Sequence, residues 1–190
     1  MFVVSYTKKR NLELFKSLDE NYGIYNLQNY LPIYNRFFKL TENNYNSINL
    51  NNKYQLYDIT NGTENIFDAV LKDASDNELK RKSFFKFSPL LDPVKYMVGK
   101  YKHIKRDKLE MLPKLKNENN LSKKKLDENN AAYIDGFFSY LSSMILHKYK
   151  FYNGIDYYGS FLGIQENHTI NIFDDLEYLY ESKFFHNNNN

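Results

Sequence analysis

The chain has 190 residues, 42% of them hydrophobic and 26% charged, with a formal net charge of +3. That length suits a single domain with a sizeable core, and that mixture excludes wholesale disorder and a collagen-like repeat. Cysteine is absent, which excludes disulfides, thiolate-bound zinc, iron–sulfur clusters and a thiol nucleophile.

In the first fifty residues, Leu12, Leu14, Phe15 and Leu18 follow a helical spacing that Asn11 could cap. Asn43 to Asn52 holds six Asn and reads as turn or loop. From Tyr54 the pattern changes. Tyr54 to Thr60 alternates as a strand does, Asn61-Gly62 is a hairpin turn signal, and Ile66 to Leu71 is a second strand. A third strand runs from Arg81 to Ser88 and stops at Pro89, since proline cannot donate to a ladder. The three together predict an antiparallel meander. Asp92-Pro93 opens a short helix that Gly99 closes.

Residues 100 to 125 hold ten Lys/Arg against three acids, whereas 127 to 190 hold nine acids against three Lys. The basic stretch carries Pro113 and few apolar residues, so it is expected to be an exposed, partly mobile loop. Asn130 caps the clearest element, a helix from Ala131 to Lys148. Its expected buried face is Ile134, Phe137, Phe138, Leu141, Met144 and Ile145. Strands over Ile155 to Ile164 and Ile170 to Phe173 follow, then a short helix that Asp174 could cap. The fold class is therefore α+β: a mostly antiparallel sheet with one principal amphipathic helix packed on it. Five stretches emerge: an aromatic, Asn-rich segment (1–53), the meander and short helix (54–99), the basic loop (100–129), the helix and strands completing the same domain (130–183), and a disordered tail (184–190).

His103, His147, His168 and His186 lack metal-ligand spacing. Ser160 follows Gly159 but has no nucleophile elbow around it. Asp174, Asp175 and Glu177 suit a helix start better than paired acid–base work. No metal site and no catalytic residue are expected.

The order strand, Gly-containing turn, strand, strand with Lys, amphipathic helix, further strands resembles the small lobe of a protein kinase. In that family the first turn covers ATP phosphates, the strand Lys reaches them, and an acid on the helix holds that Lys. The resemblance places Gly62 in the turn, Lys86 in Ser83-Phe84-Phe85-Lys86, and Asp135 on the helix. It covers residues 54–180 and departs from the family in several ways. The turn has one glycine and carries Glu64, Phe84 stands where a small residue makes room for adenine, and Asp replaces the family's Glu. No His-Arg-Asp or Asp-Phe-Gly motif occurs. The resemblance thus implies an incomplete, non-catalytic kinase-like module acting through protein contacts, with no cofactor and ATP the only nucleotide in question.

The runs Phe84 to Pro93 and Gly154 to Gly163, set in a chain with 26 Asn, 18 Tyr and 15 Phe, are similar to hypothetical proteins of giant, mimivirus-like DNA viruses, whose genomes are AT-rich. That likeness implies the host cytoplasm or the virion, and a structural or assembly protein as the alternative function. A third reading is sequence-independent nucleic-acid binding through Lys102, Lys105 and Arg106, which stand beside Tyr101. No stretch reaches the roughly 18 apolar residues of a membrane span, so no membrane partner is expected.

Overall fold

Alternation in the middle of the chain folds into the three-stranded sheet of the structure, a computed structural model that describes residues 3–63, 65–116 and 121–188. Strands β1 (Tyr6–Lys8) and β3 (Ile48–Leu50) pair antiparallel, as do β2 (Ile24–Gln28) and β7 (Leu162–Gln165). The meander is β4 (Gln55–Thr63), β5 (Ile66–Lys72) and β6 (Glu78–Phe84), in that spatial order. The helices are α1 (Leu12–Tyr22), α2 (Pro93–Met97), α3 (Arg106–Glu110), α4 (Lys123–Leu126), α5 (Ala131–Tyr149), α6 (Leu176–Tyr180) and α7 (Lys183–Asn188). The class is α+β, with every strand pair antiparallel.

Two cores result. On β5, Phe67, Ala69 and Leu71 alternate inward and meet Leu14 and Leu18 of α1. The second core joins Leu31, Ile33 and Tyr34, in and before a tight turn over Pro32–Arg36, to Ile48 and Leu50 of β3 and to Tyr133 and Tyr140 of α5. The helix covering the meander is therefore α1. The long helix α5 packs on the N-terminal segment instead, and Arg36 reinforces this by pairing with Glu128 at 2.9 Å, just ahead of α5.

Several expectations change. Asn61-Gly62 is not a turn but the end of β4, and Gly62 pairs with Phe67. The Asn-rich stretch from 43 to 52 contains β3. Asn11 does not cap α1: its amide donates to Asn29 Oδ1 and to Asn49 Oδ1, both at 2.7 Å. Buried amides have several donors and acceptors to satisfy, and this network ties the start of α1 to β3 and to the turn after β2. Ile170 to Phe173 forms no strand; only Leu162–Gln165 does, and it pairs with β2 rather than joining the meander. Asp92 caps α2 as expected, accepting from Val94 N–H at 3.0 Å, and Asn130 caps α5 through Ala132 N–H at 3.1 Å. The tail is helical to Asn188, because Phe184 packs on Gly99, where a side chain would stand 2.6 Å from its ring. Residues 189 and 190 lie outside the described residues.

The basic segment is the largest departure. Lys125 is 4% exposed, and its ammonium donates to the carbonyls of Leu109 and Met111, the latter at 2.9 Å. Pro113 is buried too, and its carbonyl accepts from Gln28 at 2.8 Å. A lysine whose charge is met by carbonyls gathers the surrounding chain rather than repelling it. Residues 117–120 lie outside the described residues.

Candidate functional site

The third strand of the meander ends at Phe84, and Phe85 N–H donates to Asn65 O at 2.7 Å. Ser83 faces inward, Phe84 is 67% exposed, and Phe85 stacks near Phe67 with ring centroids 4.5 Å apart. Alternation thus sends Phe84 to solvent. It does not fill an adenine-shaped space; Phe85 is the ring that turns inward. Lys86 follows, two residues past the strand rather than inside it.

Asp135 lies in the second turn of α5, beyond the Asn130 cap. The neighbouring Gly136 allows the segment before β7 to approach, with Ser160 Oγ only 3.0 Å from where a β-carbon would stand. From these two supports the side chains meet: Lys86 Nζ lies 2.8 Å from Asp135 Oδ2, with the side chains 61% and 44% exposed. The structure therefore brings together two of the three predicted site residues. A pair this open to water is worth about 0–1 kcal/mol.

Gly62 occupies a different environment. A β-carbon there would lie 2.1 Å from Phe67 Cδ1, because the Phe67 ring crosses over the glycine. This face of the hairpin is covered by an aromatic ring and paired along its length with β5. Glu64, the acid expected in the turn, lies outside the described residues.

A cluster the sequence did not reveal sits at the C-terminal half of α5. Asp156 Oδ1 accepts from Ser143 Oγ at 2.7 Å, from His147 Nε2 at 2.9 Å and from Tyr157 N–H at 3.1 Å. Nucleophilic catalysis needs the imidazole between serine and carboxylate; here the carboxylate is in the middle, and Ser143 is wholly buried. The cluster clasps the loop after α5 onto the helix. Ser143 and His147 stand one helical turn apart on a single face, but that spacing does not tell that Asp156 returns to them.

Nearby, Tyr34, Tyr133, Tyr140 and Tyr157 are buried together. Burial raises the hydroxyl pKa of each, that of Tyr157 to about 12, so these phenols stay neutral. Burial likewise lowers the Lys125 ammonium to about 8, against a smaller opposing effect of Glu110.

The remaining candidates are dispersed. His168 meets Gln165 Oε1 at 3.1 Å and His186 meets Tyr180 O at 2.7 Å. Asp174 makes no capping hydrogen bond; Asn171 accepts from Phe173 N–H at 2.9 Å there. Among the described residues, no group of three or more His, Asp or Glu is placed to hold a metal ion, and no helix is long and apolar enough to cross a membrane. In the basic segment, Arg106 is held by Glu110 at 2.6 Å, and His103, Lys105 and Lys108 border an open hollow of about 370 Å³.

Comparison with protein-family models, curated proteins and solved structures finds no match.

Proposed function

We propose that this chain is an incomplete, non-catalytic kinase-like module that acts through protein contacts. The Lys86–Asp135 pair supports the kinase-like part, since it joins the two groups that the resemblance pairs. The Phe67 ring over Gly62 supports the non-catalytic part, because it occupies the space a phosphate-covering turn would need.

The observation that carries the contact reading is the outer face of α5. Ile134, Phe138, Ile145 and Tyr149 are 38%, 69%, 36% and 56% exposed, although α5 already buries Tyr133 and Tyr140 on its inner side. A helix apolar on both sides is one that expects a neighbour on both. Thermal melts with and without ATP and Mg²⁺ test the proposal. The reading expects no shift; a rise that Lys86→Ala abolishes overturns it, since a ligand at 100 times its Kd adds about 2.7 kcal/mol.

A second reading is contact with a nucleic-acid backbone through Lys102, Lys105 and Arg106, of which Lys105 borders the open hollow of the basic segment. It expects single-strand affinity that falls steeply with salt. Unchanged affinity after neutralising all three removes it.

A further inference from the structure

The exposed stripe on α5 has a symmetry of its own. At 3.6 residues per turn, Ile134, Phe138, Ile145 and Tyr149 fall within a sector roughly 60° wide. Ile134 and Tyr149 are equally far in sequence from the midpoint between Leu141 and Ser142, and so are Phe138 and Ile145. A stripe of this kind is complementary to itself when reversed. Two copies running antiparallel set Ile134 against Tyr149 and Phe138 against Ile145, twice over, as a closed two-fold contact requires. Leu141 and Ser142 flank the midpoint: Leu141 packs toward the core, and Ser142 is small enough to let two helices approach.

The loop after α5 widens the patch. Ile155 N–H donates to Ser142 Oγ at 2.8 Å, which fixes Ile155 beside the middle of the stripe, 65% exposed, with Tyr152 nearby in sequence and 83% exposed. At 150–250 Å² for a whole aromatic side chain and somewhat less for Ile, the stripe with Ile155 presents roughly 500 Å². A stable pair buries about 800 Å² on each partner, so the stripe supplies more than half of the area that a second copy needs.

We propose that α5 pairs antiparallel with α5 of a second copy of this chain, about a two-fold axis beside Ser142. The inference rests on reading the chain as a contact module and names its partner. The pairing also sets each helix's N-terminus beside the other's C-terminus, where the dipoles attract.

The test uses the full chain, whose lack of cysteine makes single-cysteine variants unambiguous. Sedimentation equilibrium is expected to give twice the chain mass at tens of micromolar. Under mild oxidation Ser142→Cys is expected to cross-link into dimers, because it lies beside the axis. Tyr149→Cys is expected not to, because the two copies of that position lie roughly 20 Å apart at 1.5 Å per residue. Phe138→Glu and Ile145→Lys, each alone, are expected to give monomers, and the double variant to restore the dimer by facing opposite charges. Phe138 is 69% and Ile145 36% exposed, and far-ultraviolet circular dichroism checks that both variants retain the fold. A wild-type mass of one chain throughout, or cross-linking of Tyr149→Cys as readily as Ser142→Cys, overturns the pairing. Those results leave the contact-module reading standing, whereas a Lys86-dependent response to ATP removes the reading itself.

Discussion

The ring of Phe67 lies across Gly62 on the neighbouring strand, so close that a methyl group on the glycine would overlap it at 2.1 Å. The ring cannot swing aside, since Tyr22 stands at 5.1 Å and Phe85 at 4.5 Å between centroids. The glycine is therefore part of the packing of the meander's end, and its backbone lies under a ring instead of arching over a ligand.

Gly62→Ala is accordingly expected to destabilise the chain by about 1–3 kcal/mol, the usual cost of overpacking a filled site. Urea denaturation measures it. The double variant Gly62→Ala/Phe67→Leu should cost less than the sum of the single changes, because the smaller side chain vacates the space. Strict additivity would mean that the ring is not the obstacle.

Lys86→Ala and Asp135→Asn should each change stability by less than about 1 kcal/mol, as befits an ion pair so exposed to water and salt. Urea denaturation at low and high ionic strength checks this. A loss of several kcal/mol from either would show that the pair is buried in solution.

Lys125 gives a pH signature. Its pKa in the folded chain, about 8, lies below the ordinary value of 10.5. Below about pH 8 both states carry the proton, and the folded state bears the cost of a buried charge. Between about 8 and 10.5 the unfolded state still holds a proton that the folded state has released, so this lysine's contribution to stability rises with pH. Relative to Lys125→Met, the wild type should gain on the order of 3 kcal/mol across that window at 1.36 kcal/mol per pKa unit. Urea midpoints of both proteins at pH 7 and pH 10.5 measure the difference. A constant gap, or one moving the other way, would contradict the burial.

Asn130→Ala removes more than a cap. Its side chain accepts from Ala132 N–H at 3.1 Å and donates to Leu90 O at 3.1 Å and Lys124 O at 2.9 Å. Capping losses run to about 2 kcal/mol, and the two part-buried carbonyls that lose this donor push the cost to the upper end. Thermal or urea unfolding checks this; a loss of a few tenths would mean that water replaces the amide freely.

How legible this fold was varies with the kind of signal. The meander, the Asp92 and Asn130 caps and the extent of α5 follow from local pattern, and the structure has them. The inner face of α5 follows only in part: Phe137, Leu141 and Met144 pack against the core as expected, but both faces carry apolar residues. Spacing alone selected Ile134, Phe138 and Ile145, while the tyrosines Tyr133 and Tyr140, richer in contact area, took the core. Nothing local announces that α5 packs on residues a hundred positions earlier, or that Leu162–Gln165 pairs with Ile24–Gln28. Lys125 is hidden for a different reason: inside a run of three lysines, only the fold decides which one finds carbonyls. Of the site, Lys86 and Asp135 were legible through a resemblance, whereas the Ser143–Asp156–His147 clasp depends on a loop whose return to the helix no spacing reveals.

The central claim is that the chain works by contact and not by nucleotide chemistry. Isothermal titration of the purified chain with ATP and Mg²⁺ tests it most directly, with Lys86→Ala alongside. The account predicts no saturable heat up to about 1 mM nucleotide, the concentration at which even a weak site of about −4 kcal/mol would be half filled. A saturable isotherm that vanishes in Lys86→Ala, with the variant still folded, would contradict it.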